Sequence, residues 1–211
     1  FGERNGIYII DLEKSLTLLN KARQFLYDTV VRGRKVLFVG TKKQAQDPIK
    51  ELAERLHQPY VVNRWLGGTL TNIQTIRKSV ARKQMLEKME ADGTMNELPK
   101  KEVARLRREL EKLQYNLNGV ADMEGLPGAI FVIDVMRETI AVAEANRLKI
   151  PVIATVDTNC DPDPIDYPIP GNDDAIRAVR LIIDAVGSTI QQAQNEYAKA
   201  AAEDARRRQA A

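Results

Sequence analysis

Hydrophobic positions along this chain alternate between two periods. Ile7-Tyr8-Ile9-Ile10 is a short β-rich run closed by Asp11, and it is followed by a helical pattern through Leu16, Leu19, Ala22, Leu26 and Val30 that stops at Gly33. Val36-Leu37-Phe38-Val39 is continuously apolar, as expected of a strand covered on both faces, and ends at Gly40. Asp47-Pro48 reads as an N-cap followed by proline at the first helical position, with Ile49, Leu52, Ala53 and Leu56 pointing inward. Tyr60-Val61-Val62 supplies a third strand, so the order is β-α-β-α-β, the signature of a parallel sheet with right-handed crossovers. The pattern breaks at Arg64 and resumes at Ala129-Ile130-Phe131-Val132-Ile133. It continues with a helix from Glu138 to Leu148, the strand Val152 to Val156 and a long final helix. About five strands are expected. The segment from Asn159 to Asp174 is expected to be a rigid loop, because its prolines forbid helix and its acids suit the helix start that follows.

Between residues 64 and 119 the periodicity changes character. Val103, Leu106, Leu110, Leu113 and Leu117 are spaced three, four, three, four, a narrow seam for a partner helix rather than a broad core-facing stripe. The preceding helix offers Ile73, Ile76, Val80, Met85 and Met89 as imperfectly spaced partners, so a helical hairpin held within the chain is expected. The chain divides into residues 1–63 and 120–197, two parts of one α/β domain, the insertion 64–119, and an exposed tail, 198–211, rich in Ala and Arg with no apolar face.

Composition narrows the class. A hydrophobic content of 44% suffices for a real core, and no apolar run approaches the roughly 20 residues that span a bilayer, so no membrane partner is expected. The single Cys160 cannot form an internal disulfide, which fits a reducing cytoplasm. The chain starts at Phe1 rather than Met, from which an upstream segment, removed or lying beyond this sequence, is expected. Net charge is only +3, but it is unevenly placed. Residues 64–119 hold 12 Lys+Arg against 7 Asp+Glu, whereas residues 129–174 hold 3 against 9. One end invites phosphate and the other repels it.

Catalytic constellations are weak throughout. Gly40-Thr41-Lys42-Lys43 follows a strand but lacks the Gly-rich spacing of a phosphate loop, and no G-x-G-x-x-G follows the first strand. His57 is the only histidine, and Cys160 has neither a metal-spaced companion nor a histidine neighbour. Asp157, Asp161, Asp163 and Asp166 near a strand's carboxyl end offer oxygen ligands to a hard cation such as magnesium, with loop turns and helix capping as the commoner use. The segment Arg64-Trp65-Leu66-Gly67-Gly68-Thr69-Leu70-Thr71-Asn72 suits RNA. Arg64 can fork onto phosphate, Trp65 can stack, Gly67 and Gly68 let the backbone approach closely, and Thr69, Thr71 and Asn72 offer short polar groups. Two structural uses stand beside this one: Trp65 as a core residue beneath the hairpin, and Thr71 or Asn72 as a helix N-cap. Arg77, Lys78, Arg82 and Lys83 follow at about one-turn spacing, and Arg105, Arg107 and Arg108 crowd the second helix, so all are candidate RNA contacts.

At these residues the chain resembles the bacterial small-subunit ribosomal protein S-two family. The resemblance is carried by Phe1-Gly2-Glu3-Arg4-Asn5-Gly6 leading to Ile9-Ile10-Asp11, by Phe38-Val39-Gly40-Thr41-Lys42, by Arg64 to Asn72, and by Pro127 to Pro151 with Asp134, Glu138 and Glu144 at fixed intervals. It implies a flavodoxin-like (Rossmann-like) five-stranded parallel sheet with helices on both faces and a protruding coiled-coil hairpin. It further implies binding to 16S ribosomal RNA on the cytoplasmic small subunit, beside other small-subunit proteins and the large protein that helps capture messenger RNA. The basic, aromatic arm that the family normally carries before Phe1 is absent from this sequence. No catalytic reaction, no resident cofactor beyond magnesium bridging to RNA, and no obligate homo-oligomer are expected. Two competing functions remain: an α/β nucleotide- or magnesium-binding enzyme using the carboxyl edge near Asp134 and Asp157, and a scaffold that recruits a partner helix through the leucine seam.

Overall fold

The computed structural model describes residues 2–209, with side chains throughout except those of Ile7, Asp204, Ala205 and 207–209. Phe1 and the last two residues of the expected tail lie outside this range. The first run of β-rich residues does not enter the main sheet. Strand β1 (Gly2–Arg4) and strand β2 (Ile7–Ile9) form a separate antiparallel hairpin that turns at Asn5 and Gly6, both at positive φ. Asn-Gly is the strongest two-residue hairpin signal, and it outweighs the pull of Ile7–Ile9 toward a parallel sheet. Helix α1 (Leu12–Val31) follows, capped by the Asp11 carboxylate, which accepts from the backbone N–H groups of Glu13 and Lys14.

Five strands do form the main sheet: β3 (Val36–Val39), β4 (Tyr60–Val61), β5 (Ala129–Val132), β6 (Val152–Val156) and β7 (Tyr167–Pro170). They pair in the order β4-β3-β5-β6-β7, all parallel. The fifth strand therefore comes from the proline-rich stretch expected to be loop. Prolines are tolerated there because β7 pairs only with β6. Pro168 and Pro170 alternate with residues that serve the ladder, so the missing N–H groups fall on the outer side, and Gly171 N–H continues the pairing to Val156 O. Helix α2 (Lys43–Arg55) also departs from expectation, starting four residues before Asp47 and carrying Pro48 inside it. The earlier start buries Ala45 against Gly40 and is closed by the Gln46 side chain, which donates to Thr41 O. The cost is one helical hydrogen bond at Pro48, near the end where such bonds are fewest.

The sheet is covered on both faces, and the two covers differ in origin. Phe38, Phe131 and Ile153 face α1, α2 and the long last helix α6 (Ile176–Gln209). Leu37, Val39, Ile130, Val132, Val152 and Ala154 face helix α5 (Thr139–Arg147) and the base of the insertion, through Trp65, Leu70, Ile76, Val80, Leu117 and Val120. The insertion thus supplies part of the second layer rather than being appended to a finished domain. It continues as helices α3 (Ile73–Ala91) and α4 (Lys100–Leu117), which pack on each other around Leu86, Met95, Leu106 and Leu110. On α4 the observed seam is the expected one. On α3 it is displaced: Met85 is exposed and Leu86 takes its place, because stepping three and four from Ile76 and Val80 lands on residue 83 and then 86 or 87. Beyond Ala198, α6 continues unbroken, and its side chains from Lys199 to Glu203 are exposed.

The edge strand β4 is shielded by the end of the insertion, where Gly119 lies so close that an added Cβ would collide with Tyr60 O. Gly119→Ala is expected to lower stability by about 1–3 kcal/mol through overpacking, read as a shift in the urea midpoint with an unchanged slope.

Candidate nucleic-acid interface

The loop from Arg64 to Asn72 is wrapped around one carboxylate. Glu144, on the inner face of α5 beside Ala141 and Ala145, is 8% exposed. Its Oε1 accepts from Trp65 Nε1–H at 3.0 Å and from Gly68 N–H at 2.7 Å. Its Oε2 accepts from Leu70 N–H at 2.9 Å, Thr71 N–H at 3.0 Å and the Thr71 hydroxyl at 3.1 Å. Burial pushes this carboxyl up, but the donors from Thr71, Trp65, Gly68 and Leu70 outweigh it and hold the group below its ordinary value. Gly68 sits at φ +89°, where a side chain would be strained. An acid on an otherwise apolar helix face was the available signal for this hub, and nothing in residue order ties Glu144 to the loop.

This arrangement revises the candidate list. Trp65, at 7% exposed, is part of the second core and is not free to stack on a base. Thr69 is buried with its hydroxyl donating to Leu66 O, so it too is withdrawn from any ligand. Gly68 is half-buried and its N–H is committed to Glu144. Arg64, Gly67 and Asn72 are exposed, Asn72 at the N-cap position of α3 with its Oδ1 accepting from the Thr75 hydroxyl.

The basic residues of the hairpin separate just as sharply. Arg77 and Lys78 are exposed on the first turns of α3 and make no ion pair among the described residues, and the same holds for Arg108 on α4. Arg82 forks onto Glu109, with Nε at 2.8 Å from Oε1 and Nη2 at 3.2 Å from Oε2. Arg107 lies 3.3 Å from Glu90, and Arg105 lies 3.8 Å from Glu102. Exposed pairs of this kind are weak and can yield to phosphate, whereas the bidentate Arg82 pair joins the two helices. Lys83 is a correction: it is 7% exposed within the seam and 3.5 Å from Glu87, so it serves the hairpin rather than a ligand.

At the opposite end, the carboxyl edge of the sheet gathers acids around a lysine. Lys42 Nζ lies 2.7 Å from Asp173, 2.5 Å from Asp174 and 3.4 Å from Asp134. Burial lowers this ammonium's pKa, but Asp173 and Asp174 more than offset it and hold the group above its ordinary value. Thr41 N–H donates to Glu138 at 2.8 Å, and Arg137 Nε–H donates to the Thr41 hydroxyl. The strand-end backbone is therefore occupied, and the surrounding carboxylates repel a phosphate. Among the described residues, the carboxylates able to meet around a divalent cation are Asp157, Asp173 and Asp174, whose oxygens lie within 4.8 Å of one another. The acids that the sequence offered as ligands, Asp157, Asp161, Asp163 and Asp166, do not meet as a set; Asp161 accepts from Asp163 N–H and Asp166 from Val152 N–H, in keeping with their commoner use in loop turns.

A family model described as Ribosomal protein S2 matches residues 1–193. The chain is 54% identical over 197 residues to the small ribosomal subunit protein uS2 of Treponema pallidum strain Nichols, covering 93% of this chain and 68% of that protein. The protein of the same description from a second strain, of Treponema pallidum subsp. pallidum, matches equally, at 54% identity over the same share of each chain.

Glu144→Gln keeps the size of the hub but replaces an acceptor oxygen by an N–H donor, leaving buried loop N–H groups unpaired. The expected loss is roughly 2–4 kcal/mol near neutral pH by urea unfolding. Because the folded carboxyl titrates below its ordinary 4.5, its stabilisation is fully present above that value and is lost as pH falls through the lower folded pKa. The gap between wild type and variant should therefore close only in acid, below about pH 4.5; a gap independent of pH would remove the carboxylate from this role.

Proposed function

For a chain that belongs to the ribosomal protein S2 family, we propose the role of a structural constituent of the small ribosomal subunit, held on 16S ribosomal RNA through phosphate and shape contacts. The observation that carries the reading is the segregation of charge. Arg64, Arg77, Lys78 and Arg108 are exposed without ion pairs among the described residues on the insertion, while Asp134, Asp157, Asp173 and Asp174 gather at the carboxyl edge of the sheet. The first set positions a polyanion, and the second set turns it away.

Finer features support the same reading. Numbered along the chain, the five parallel strands run 2-1-3-4-5, the order of flavodoxin-like sheets, and the three-four seam of α4 with its interhelical pairs suits a coiled-coil hairpin. The chain sits on the small subunit of the cytoplasmic ribosome, beside other small-subunit proteins and the large protein that captures messenger RNA. The acidic edge is the face left for protein neighbours. Magnesium enters as an ion bridging carboxylate and phosphate, not as the centre of a reaction, and the role has no catalytic step.

Replacing Arg64, Arg77 and Arg108 together by Gln is expected to leave the fold intact, with stability changed by no more than about 0.5 kcal/mol per site. Incorporation into small subunits should fall, and the slope of log affinity for ribosomal RNA against log salt should shrink by roughly 2 to 3. Unchanged incorporation, measured by co-sedimentation with reconstituted subunits, would count against this surface.

A further inference from the structure

Helix α4 carries a second pattern on the side away from its leucine seam. Lys101, Arg105, Arg108 and Lys112 follow one another at four, three and four residues, and Tyr115 continues the row three residues later. At 100° per residue these five positions fall within an arc of about 80° and extend about 21 Å along the helix. All five are exposed. Lys101, Arg108 and Lys112 make no ion pair among the described residues, and Arg105 approaches Glu102 at 3.8 Å and also feels the charge of Glu109. Tyr115 is 62% exposed, an aromatic ring left open at the end of a cationic row.

The ring does not stand on a flat surface. Tyr115 is one of the residues that line a cleft of ≈ 390 Å³ between the end of α4, α2 and the edge strand β4, with Gln46, Lys50, Tyr60, Asn63 and Asn118 among the others. Asn63 fastens the cleft to the helix by donating its Nδ2–H to Tyr115 O at 2.5 Å, and the close approach of Gly119 to Tyr60 closes its floor. Asn118 makes no side-chain hydrogen bond among the described residues, and the carbonyl oxygens of Gln46 and Asn63 remain available as acceptors. Asp47 and Glu111 also line the cleft against the single Lys50, so a phosphate is disfavoured within it and an uncharged planar group is not.

We propose that this face is a nucleotide site: the row Lys101, Arg105, Arg108 and Lys112 follows the phosphates of one RNA strand, and an unpaired base of that strand stacks on Tyr115 with its edge toward the amides of the cleft. Cations fix position along the backbone, while an aromatic face beside amide groups is how proteins hold a splayed base. The inference rests on the RNA-binding reading and adds to it the class of ligand, a junction between a paired strand and an unpaired nucleotide.

The test uses the full chain and two RNA probes, a hairpin with a short single-stranded tail and the same hairpin without it, with binding followed by fluorescence anisotropy at several salt concentrations. The wild type should prefer the tailed RNA. Tyr115→Ala should weaken that complex by about 5- to 150-fold while leaving the blunt complex unchanged, and Tyr115→Phe should restore it, since stacking needs the ring and not the hydroxyl. Lys101→Gln with Lys112→Gln should weaken both complexes and reduce the salt slope by about 1.4 to 1.8. If the tail confers no advantage, or if Tyr115→Ala binds the tailed RNA as the wild type does, the base site is overturned while the cation row survives. A wild type that binds neither RNA overturns the RNA reading itself, and this site with it.

Discussion

The buried carboxylate of Glu144 dictates how the two halves of this molecule meet. An ion at such a position loses its hydration, and it is retained only where hydrogen bonds replace the water. Five donors, from Trp65, Gly68, Leu70 and both groups of Thr71, converge on its two oxygens. Few backbone paths can aim donors from four residues of a single loop at one carboxylate, and the path taken requires Gly68 at positive φ. Once the loop is set, Trp65 and Leu70 fall into the second core and Asn72 begins α3 in a defined direction. The hairpin's orientation on the sheet thus follows from the electrostatics of a side chain outside the hairpin.

A second buried acid shows that burial alone does not decide such an outcome. Glu138, at the N-cap position of α5, is also buried, yet its carboxyl is pushed above its ordinary value. Burial dominates there, and the hydrogen bond to Thr41 only partly offsets it. The difference between the two is the number of donors, the groups of one residue, Thr41, against five groups from four residues. Around Glu138 the carboxyl edge is dense with acids, and Lys42 is the cation that holds Asp134, Asp173 and Asp174 together. That edge is where a doubly wound sheet ordinarily receives its ligand. Here its charge is the wrong sign for phosphate, which leaves the insertion as the surface suited to a polyanion.

Much of this was readable from residue order. The continuous apolar runs at Val36–Val39 and Ala129–Val132 are buried strands, Val152–Val156 is a strand buried from Val152 to Thr155, and the α4 seam packs as its spacing implies. The misreadings share a cause: each signal was judged without knowing where the element would sit. Prolines at 168 and 170 argue against a strand in a sheet interior and not at an edge, and the β-rich residues 7–9 were drawn into a local hairpin by Asn5-Gly6. Lys83 was assigned to RNA on chemistry that does suit RNA, and Trp65 was left between RNA and the core beneath the hairpin; the burial of each was set by the partner it meets, the hairpin seam and Glu144. Residues 64–72 were correctly singled out as unusual. What makes them so is a carboxylate far along the chain, which one sequence does not connect to them.

The hairpin sorts its own charges by geometry, and this explains why net charge is a poor guide to its surface. A residue flanking a seam faces the partner helix, where acids such as Glu90 and Glu109 stand ready, so Arg82 and Arg107 are paired across the hairpin, while Lys83, within the seam, pairs with Glu87 one turn along its own helix. A residue opposite the seam has no helix to face and keeps its charge, as Lys101, Arg108 and Lys112 do among the described residues. The two classes are indistinguishable by residue type and are separated only by their angle from Leu106 and Leu110. A cation's availability to a polyanion is therefore decided by the same three-four periodicity that builds the core of the hairpin. The surface open to a polyanion is the geometric complement of the surface that holds the two helices together.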